Sequence, residues 1–150
     1  MSLFSIFKIA SQGMTAQRER LEASSANLAN ANTTRTATGK PYQRRDVIFS
    51  AQDINEAWTE TAEQNGLTAP NNKSQGVKSE IVLADENRFQ MQYQPGHPDA
   101  DADGYVKMPD VDPLEETVNM MSAARSFEAN ATVFSTAKEL ARVSLNLGDA

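Results

Sequence analysis

Apolar residues recur every seven positions at both ends of the 150-residue chain, and the rhythm disappears between them. Near the N-terminus Phe7, Met14, Leu21 and Leu28 form one row, while Leu3, Ala10, Gln17, Ser24 and Ala31 form a second, mostly small or polar. A stripe this narrow suits a helix packed closely on another helix. It predicts a helix over residues 2 to 31, capped by Ser2. Gly13 costs such a helix about 1 kcal/mol relative to Ala. Ser24, Ser25 and Asn27 favour local side-chain bonding, so the segment is expected to be marginal until packed. Toward the C-terminus Met120, Phe127, Phe134 and Ala141 repeat the spacing, flanked by Ala124, Ala131 and Leu145. Asp112-Pro113-Leu114-Glu115 supplies a cap, a first-turn proline and an acid three residues after the cap. Gly148 stands where a C-terminal cap belongs. A helix over residues 113 to 147 would be about 50 Å long, a length suited to a bundle or coiled coil.

The centre reads differently. Strands are expected at Tyr42 to Phe49, Val77 to Leu83, Arg88 to Gln94 and Gly104 to Met108, the third with Phe89, Met91 and Tyr93 alternating with polar neighbours. Residues Ile54 to Thr61 predict a short helix around Trp58, and the polar stretch 63–76 a loop. The expected fold is α+β: long N- and C-terminal helices packed as a coiled-coil-like pair, with a small β-rich central domain. Its divisions are residues 1–34, 35–111 and 112–150, the first and last forming one helical domain.

Composition narrows the function. A net charge of −6 disfavours nucleic acid, whose binding rests on Lys and Arg neutralising phosphates. Arg35, Lys40, Arg44 and Arg45 form the one basic cluster, and Asp46 follows directly, as on a solvated hairpin face. The chain has no cysteine, so disulfides and thiolate zinc sites are excluded. Met1-Ser2-Leu3-Phe4-Ser5-Ile6-Phe7-Lys8 lacks the basic region of a secretory signal. No stretch approaches the roughly 18 apolar residues of a membrane span. If the protein leaves the cytoplasm, it is expected to use another export route.

Little here could carry catalysis. Asp99, Asp101, Asp103, Gly104 and Asp110 resemble the spacing of a calcium-binding loop, which makes a calcium-binding module the alternative reading. His97-Pro98 before the loop and Pro109 within it oppose the flanking helices, and Asp110 is shorter than the usual Glu. His97 is the only histidine and fits a turn. Nucleophile elbows and phosphate loops are absent, so no catalytic residue, metal site or cofactor is assigned. Asn27 and Asn30 are spaced three apart on one helical face, where their carboxamides could bond a packed neighbour.

At these residues a family resemblance enters. Asn27-Leu28-Ala29-Asn30-Ala31-Asn32-Thr33 resembles the N-terminal signature of bacterial flagellar rod and hook proteins. Tyr93-Gln94-Pro95-Gly96-His97-Pro98-Asp99 through Val106 is similar to proximal members of the flagellar basal-body rod family. So are Glu115-Glu116 through Asn130, Thr136-Ala137-Lys138 and the opening Met1-Ser2-Leu3-Phe4. The chain departs from the family over residues 53–76, and Gln94 stands where an acid is common. The resemblance implies a structural rod subunit in the periplasmic part of the basal body, exported unfolded through the flagellar type III apparatus. Its implied partners are copies of itself, other rod proteins, the export apparatus, and membrane-ring and rod-base proteins. It also implies helical assembly through the paired terminal helices, with a β-rich domain facing outward. On the residues, the expected assembly interface comprises Leu3, Phe7, Met14, Leu21, Asn27, Leu28, Asn30, Met120, Phe127, Ala131, Phe134 and Leu145. Asn27 and Asn30 are expected to set registry where helix and β domain join.

Overall fold

The structure, a computed structural model, describes residues 3–54, 75–85 and 87–148. Helix α1 runs Leu3–Ala29, strand β1 Arg45–Asp53, β2 Gln75–Leu83, β3 Phe89–Tyr93 and β4 Tyr105–Pro109, and helix α2 Pro113–Gly148. The fold is α+β, two long terminal helices around a small β region. The short helix expected around Trp58 lies outside the described residues, as does most of the expected loop. Gln75 and Gly76, placed in that loop by composition, instead open β2.

Capping chemistry sets the helix ends. Asp112 Oδ1 accepts the Leu114 amide at 2.8 Å, while Pro113 fills the first turn, where a missing N–H costs nothing. Glu115 does not close the box reciprocally; its carboxylate binds Arg44 Nη2 at 2.9 Å. At the end of α1, Asn30 Nδ2 donates to the Ala26 carbonyl at 2.8 Å and Asn30 Oδ1 accepts from the Thr33 hydroxyl at 3.2 Å. Among the described residues no non-glycine has positive φ, so α1 ends through side-chain bonds rather than a left-handed residue.

β1 pairs with β2, and β3 pairs antiparallel with β4, Phe89 opposite Pro109 and Tyr93 opposite Tyr105. β1 starts three residues later than expected because Tyr42 is held elsewhere: its amide donates to the Thr33 carbonyl at 3.2 Å. The Arg44 carbonyl still accepts the Ala84 amide at 2.8 Å. The β3–β4 turn closes through Gln94 N–H to the Gly104 carbonyl, 2.8 Å. Gly104 has φ of +83°, and a side chain there would run into the Tyr93 ring and Pro95.

Contacts divide the chain into two compact units, Met1–Arg18, Phe49–Ser79 and Arg125–Ala150 in one, Glu19–Ile48 and Glu80–Ala124 in the other. In the first, the opening turns of α1 pack on the closing turns of α2. Ala10, Ala16 and Ala137 are buried, and Phe7 meets Phe134 edge to face with ring centroids 5.0 Å apart. Gly13 faces Asn130 so closely that a methyl group on it would lie 3.0 Å from the carboxamide. The residue that weakens α1 as an isolated helix is thus the one that admits its neighbour. Lys8 Nζ donates to the Ile54 carbonyl at 2.7 Å.

In the second unit Ala23, Ser24 and Asn27 of α1 are buried, with Ala31, Val106, Val111, Glu116 and Ala123. Arg20 Nη2 reaches Asn119 Oδ1 at 2.9 Å. Apart from Asn27 and Glu116, the buried helix positions are alanine or serine. On α1, Ala10 and Ser24 of the small row lie deeper than Phe7, Met14 and Leu21, which are half-buried. On α2 the buried positions Glu116, Ala123 and Ala137 follow a seven-residue register that differs from the expected Met120, Phe127, Phe134 row. Close backbone approach requires small side chains at the seam, and bulky ones are displaced to its flanks.

Candidate assembly surfaces

The joint between α1 and the β region is built on Asn27, 1% exposed. Its Oδ1 accepts the Arg45 amide at 2.8 Å and the Tyr42 hydroxyl at 3.0 Å. Its Nδ2 donates to the Arg45 carbonyl at 2.9 Å. A carboxamide that donates to and accepts from one residue's main chain acts as a short strand partner, fixing the start of β1 to the helix. Burial pushes the Tyr42 phenol above its ordinary 10.0; the nearby Arg45 guanidinium opposes this and the Glu116 carboxylate adds to it.

A second link joins β1 to α2. Glu116, 1% exposed, accepts from Arg44 Nε at 2.8 Å, and Arg44 also contacts Glu115 at 2.9 Å and Asp46 at 3.4 Å. A buried carboxylate needs such a partner, because an uncompensated charge inside a protein is costly.

The calcium reading requires Asp99, Asp101, Asp103 and Asp110 to converge, but each of three is drawn to its own partner. Asp99 accepts from the Thr34 hydroxyl at 2.8 Å and pairs with Arg35 at 3.6 Å. Asp101 Oδ1 accepts the amides of Asp103 and Tyr105 at 3.0 and 2.8 Å. Asp110 is held by Arg88 at 3.0 Å and Gln90 at 3.0 Å. Among the described residues no group of three His, Cys, Asp or Glu side chains is placed to hold a metal. His97 Nδ1 accepts the Asp99 amide at 3.1 Å and stabilises the turn.

The expected interface residues fall into three environments. Asn27 lies in the chain's interior, and Asn30, half-buried, is engaged by Ala26 and Thr33, so both carboxamides are used inside the chain. Phe7, Met14, Leu21, Met120, Ala131 and Phe134 are half-buried. Leu28, Phe127 and Leu145 are exposed, and Leu3 opens α1.

Besides Phe4 on α1 and Leu145, outward apolar side chains at helical spacing lie on α2 at positions outside the seven-residue rows. In the second unit Leu114 (73% exposed), Val118 and Met121 stand outward on α2 at helical spacing; in the first, Val133, Leu140 (58%) and Val143 do so. Both sets follow i, i+4, i+7 or i, i+7, i+10 spacing, a signal legible in the sequence but overshadowed by the Phe and Met rows. The exposed row of α1 opens on Phe4, 82% exposed, and continues as Lys8, Ser11, Thr15, Arg18, Glu22 and Ser25, all polar. β3 also exposes the apolar face of its alternation: Met91 and Tyr93 lie outward, and Tyr93 meets Tyr105 edge to face with centroids 5.3 Å apart. No helix among the described residues is long and apolar enough to cross a membrane.

Comparison with known proteins gives a consistent picture. Residues 7–35 match the family model described as flagella basal body rod protein, and residues 102–147 match flagellar basal body rod FlgEFG protein C-terminal. Over 149 residues the chain is 40% identical to the flagellar basal-body rod protein FlgC of Borreliella burgdorferi, covering 97% of each. It is 39% identical over 148 residues to FlgC of Escherichia coli O6:H1, covering 99% of each. It is 36% identical over 152 residues to FlgC of Bacillus subtilis, again covering 99% of each.

Proposed function

This chain belongs to the FlgC family of flagellar basal-body rod proteins, and from that premise we propose that it joins its neighbours in the rod through the outward faces of its terminal helices. It is a structural subunit of the flagellar basal body, not an enzyme. Its neighbours are copies of itself and other rod proteins, stacked helically, with residues 1–34 and 112–150 inside and residues 35–111 outside. It reaches this place through the flagellar type III apparatus and passes into the periplasm, where ring and rod-base proteins adjoin it.

The observation that carries this reading is the apolar side chains left outside a helix pair already closed by alanines. Burying a large aliphatic side chain fully is worth about 1.5–3 kcal/mol. Leu114, Val118, Met121, Val133, Leu140 and Val143 are already partly covered, so roughly 1 kcal/mol each remains available. Such a sum lies near the low end of the roughly 4–15 kcal/mol cost of association. One contact between two free chains is therefore weak, while a subunit contacting several neighbours at once is held firmly. Assembly onto an existing rod is favoured over pairing in solution.

The test is incorporation. Val118→Asp and Leu140→Asp should leave the purified chain helical by circular dichroism and remove it from isolated basal bodies. Thr15→Asp, on the polar face of α1, should incorporate normally. Normal rods containing either α2 variant would sink the proposal.

A further inference from the structure

We propose that two copies of the dissolved chain pair antiparallel through the outer edge of β2, in a register centred on Ser79. Among the described residues β2 has one neighbouring strand, β1. Its residues Gln75–Leu83 include no proline, so no position along the edge lacks a donor. The Ala84 amide turns inward and donates to the Arg44 carbonyl at 2.8 Å. Alternation along the strand then turns the amides and carbonyls of Ile81, Ser79 and Val77 outward, where an added strand can bond them. Ile48 of β1 and Ile81, Val82 and Leu83 of β2 are exposed, and a two-stranded ribbon is marginal by itself.

The charges select the register. Lys78 and Glu80 are exposed, and among the described residues neither side chain is engaged by an ion pair or hydrogen bond. A lone lysine on an edge strand discourages pairing, but a glutamate two residues on reverses this for one arrangement. With Ser79 opposite the Ser79 of a second copy, Lys78 of each strand faces Glu80 of the other. These are the pairs without main-chain bonds, where facing side chains lie closest. Val77 then faces Ile81 on the opposite side of the strand. Sliding the antiparallel pair by two residues sets Glu80 against Glu80 or Lys78 against Lys78, and parallel in-register pairing does both. Like charges directly opposite are destabilising, so one register stands out.

A two-fold contact of this kind closes on itself. It is a state of the dissolved chain, separate from the outward helix faces, and does not extend a rod. It covers an edge that otherwise offers a template for aggregation. Copies of net charge −6 repel one another at long range, which keeps the pair in a concentration-dependent equilibrium with single chains.

The experiment is sedimentation equilibrium of the purified full chain over a rising concentration series. The unaltered chain is expected to dimerise. Lys78→Glu and Glu80→Lys should each weaken self-pairing about tenfold or more, since each sets like charges face to face. Mixing the two variants should restore a dimer, because every facing pair is again opposite in sign, and both changes in one chain should restore self-pairing. The chain has no native cysteine, so Ser79→Cys gives an independent reading. Facing Cα atoms about 5.5 Å apart lie within disulfide reach, and mild oxidation should link the dimer. Gln75→Cys, about 26 Å from its own copy in this register, should not link. Should either reversal fail to fold by circular dichroism, the cysteine comparison on unaltered charges decides alone. A chain that stays single at every concentration, a dimer indifferent to the reversals, variants that do not complement on mixing, or a dimer that Ser79→Cys fails to link would overturn the inference.

Discussion

Replacing Asn27 with Ala removes three hydrogen bonds at once: the Arg45 amide, the Arg45 carbonyl and the Tyr42 hydroxyl all lose their partner. A typical bond contributes about 1 kcal/mol net, and a buried group left unsatisfied costs about 1–3 kcal/mol. Arg45 lies at an exposed strand end, where water can reach its main chain, which holds the total near about 3 kcal/mol. With a urea slope of about 2 kcal/mol per molar for a small protein, the midpoint should fall by about 1.5 M. Asn30→Ala, which loses the bonds to Ala26 and Thr33 at a half-buried helix end, should lower it by only about 0.5 M on the same basis. Urea unfolding followed by circular dichroism compares the two, and amide exchange at Arg45 reports the joint directly, with protection lost in Asn27→Ala alone. Equal midpoints, or unchanged protection at Arg45, would refute the assignment of Asn27 as the clamp between α1 and β1.

Three further outcomes follow from the same geometry. Arg44→Met strands the buried Glu116 carboxylate and should cost about 3–5 kcal/mol, whereas Arg44→Met with Glu116→Gln should recover most of it in urea titrations. Tyr42 has a folded-state pKa raised above 10.0, so the folded chain holds this proton more tightly than the unfolded one. Its contribution to stability is complete below pH 10 and is lost as pH rises through the folded value, a decline that Tyr42→Phe should flatten in alkaline melts. Gly13→Val should push Asn130 away and lower stability by about 1–3 kcal/mol, although valine is the better helix former.

Spacing alone located both helices to within a few residues and all four strands in order. What it left open was which face of each element is covered. The Phe7, Met14, Leu21 row and the Met120, Phe127, Phe134 row are apolar, yet the seam is made by Ala10, Ala16, Ala23, Ala123 and Ala137. Periodicity registers large apolar residues strongly and alanines weakly, while close helix approach selects the reverse. The outward set on α2 was obscured for a related reason: two apolar stripes on one helix blur each other's period. β3 shows the limit most plainly, since the alternation of Phe89, Met91 and Tyr93 identifies a face but not what covers it. The Asn27 bonds were also illegible, because their partners Tyr42 and Arg45 lie 15 and 18 residues away.

The central claim is that the outward apolar side chains of α2 become interior when the subunit takes its place in the rod. In a chain without native cysteine, Val118→Cys and Leu140→Cys each create a single target for a soluble maleimide. Both should label rapidly on the dissolved chain and become strongly protected in isolated basal bodies, while Thr15→Cys keeps a larger share of its reactivity. Equal labelling rates for Val118→Cys and Leu140→Cys in the dissolved chain and in basal bodies would contradict the account.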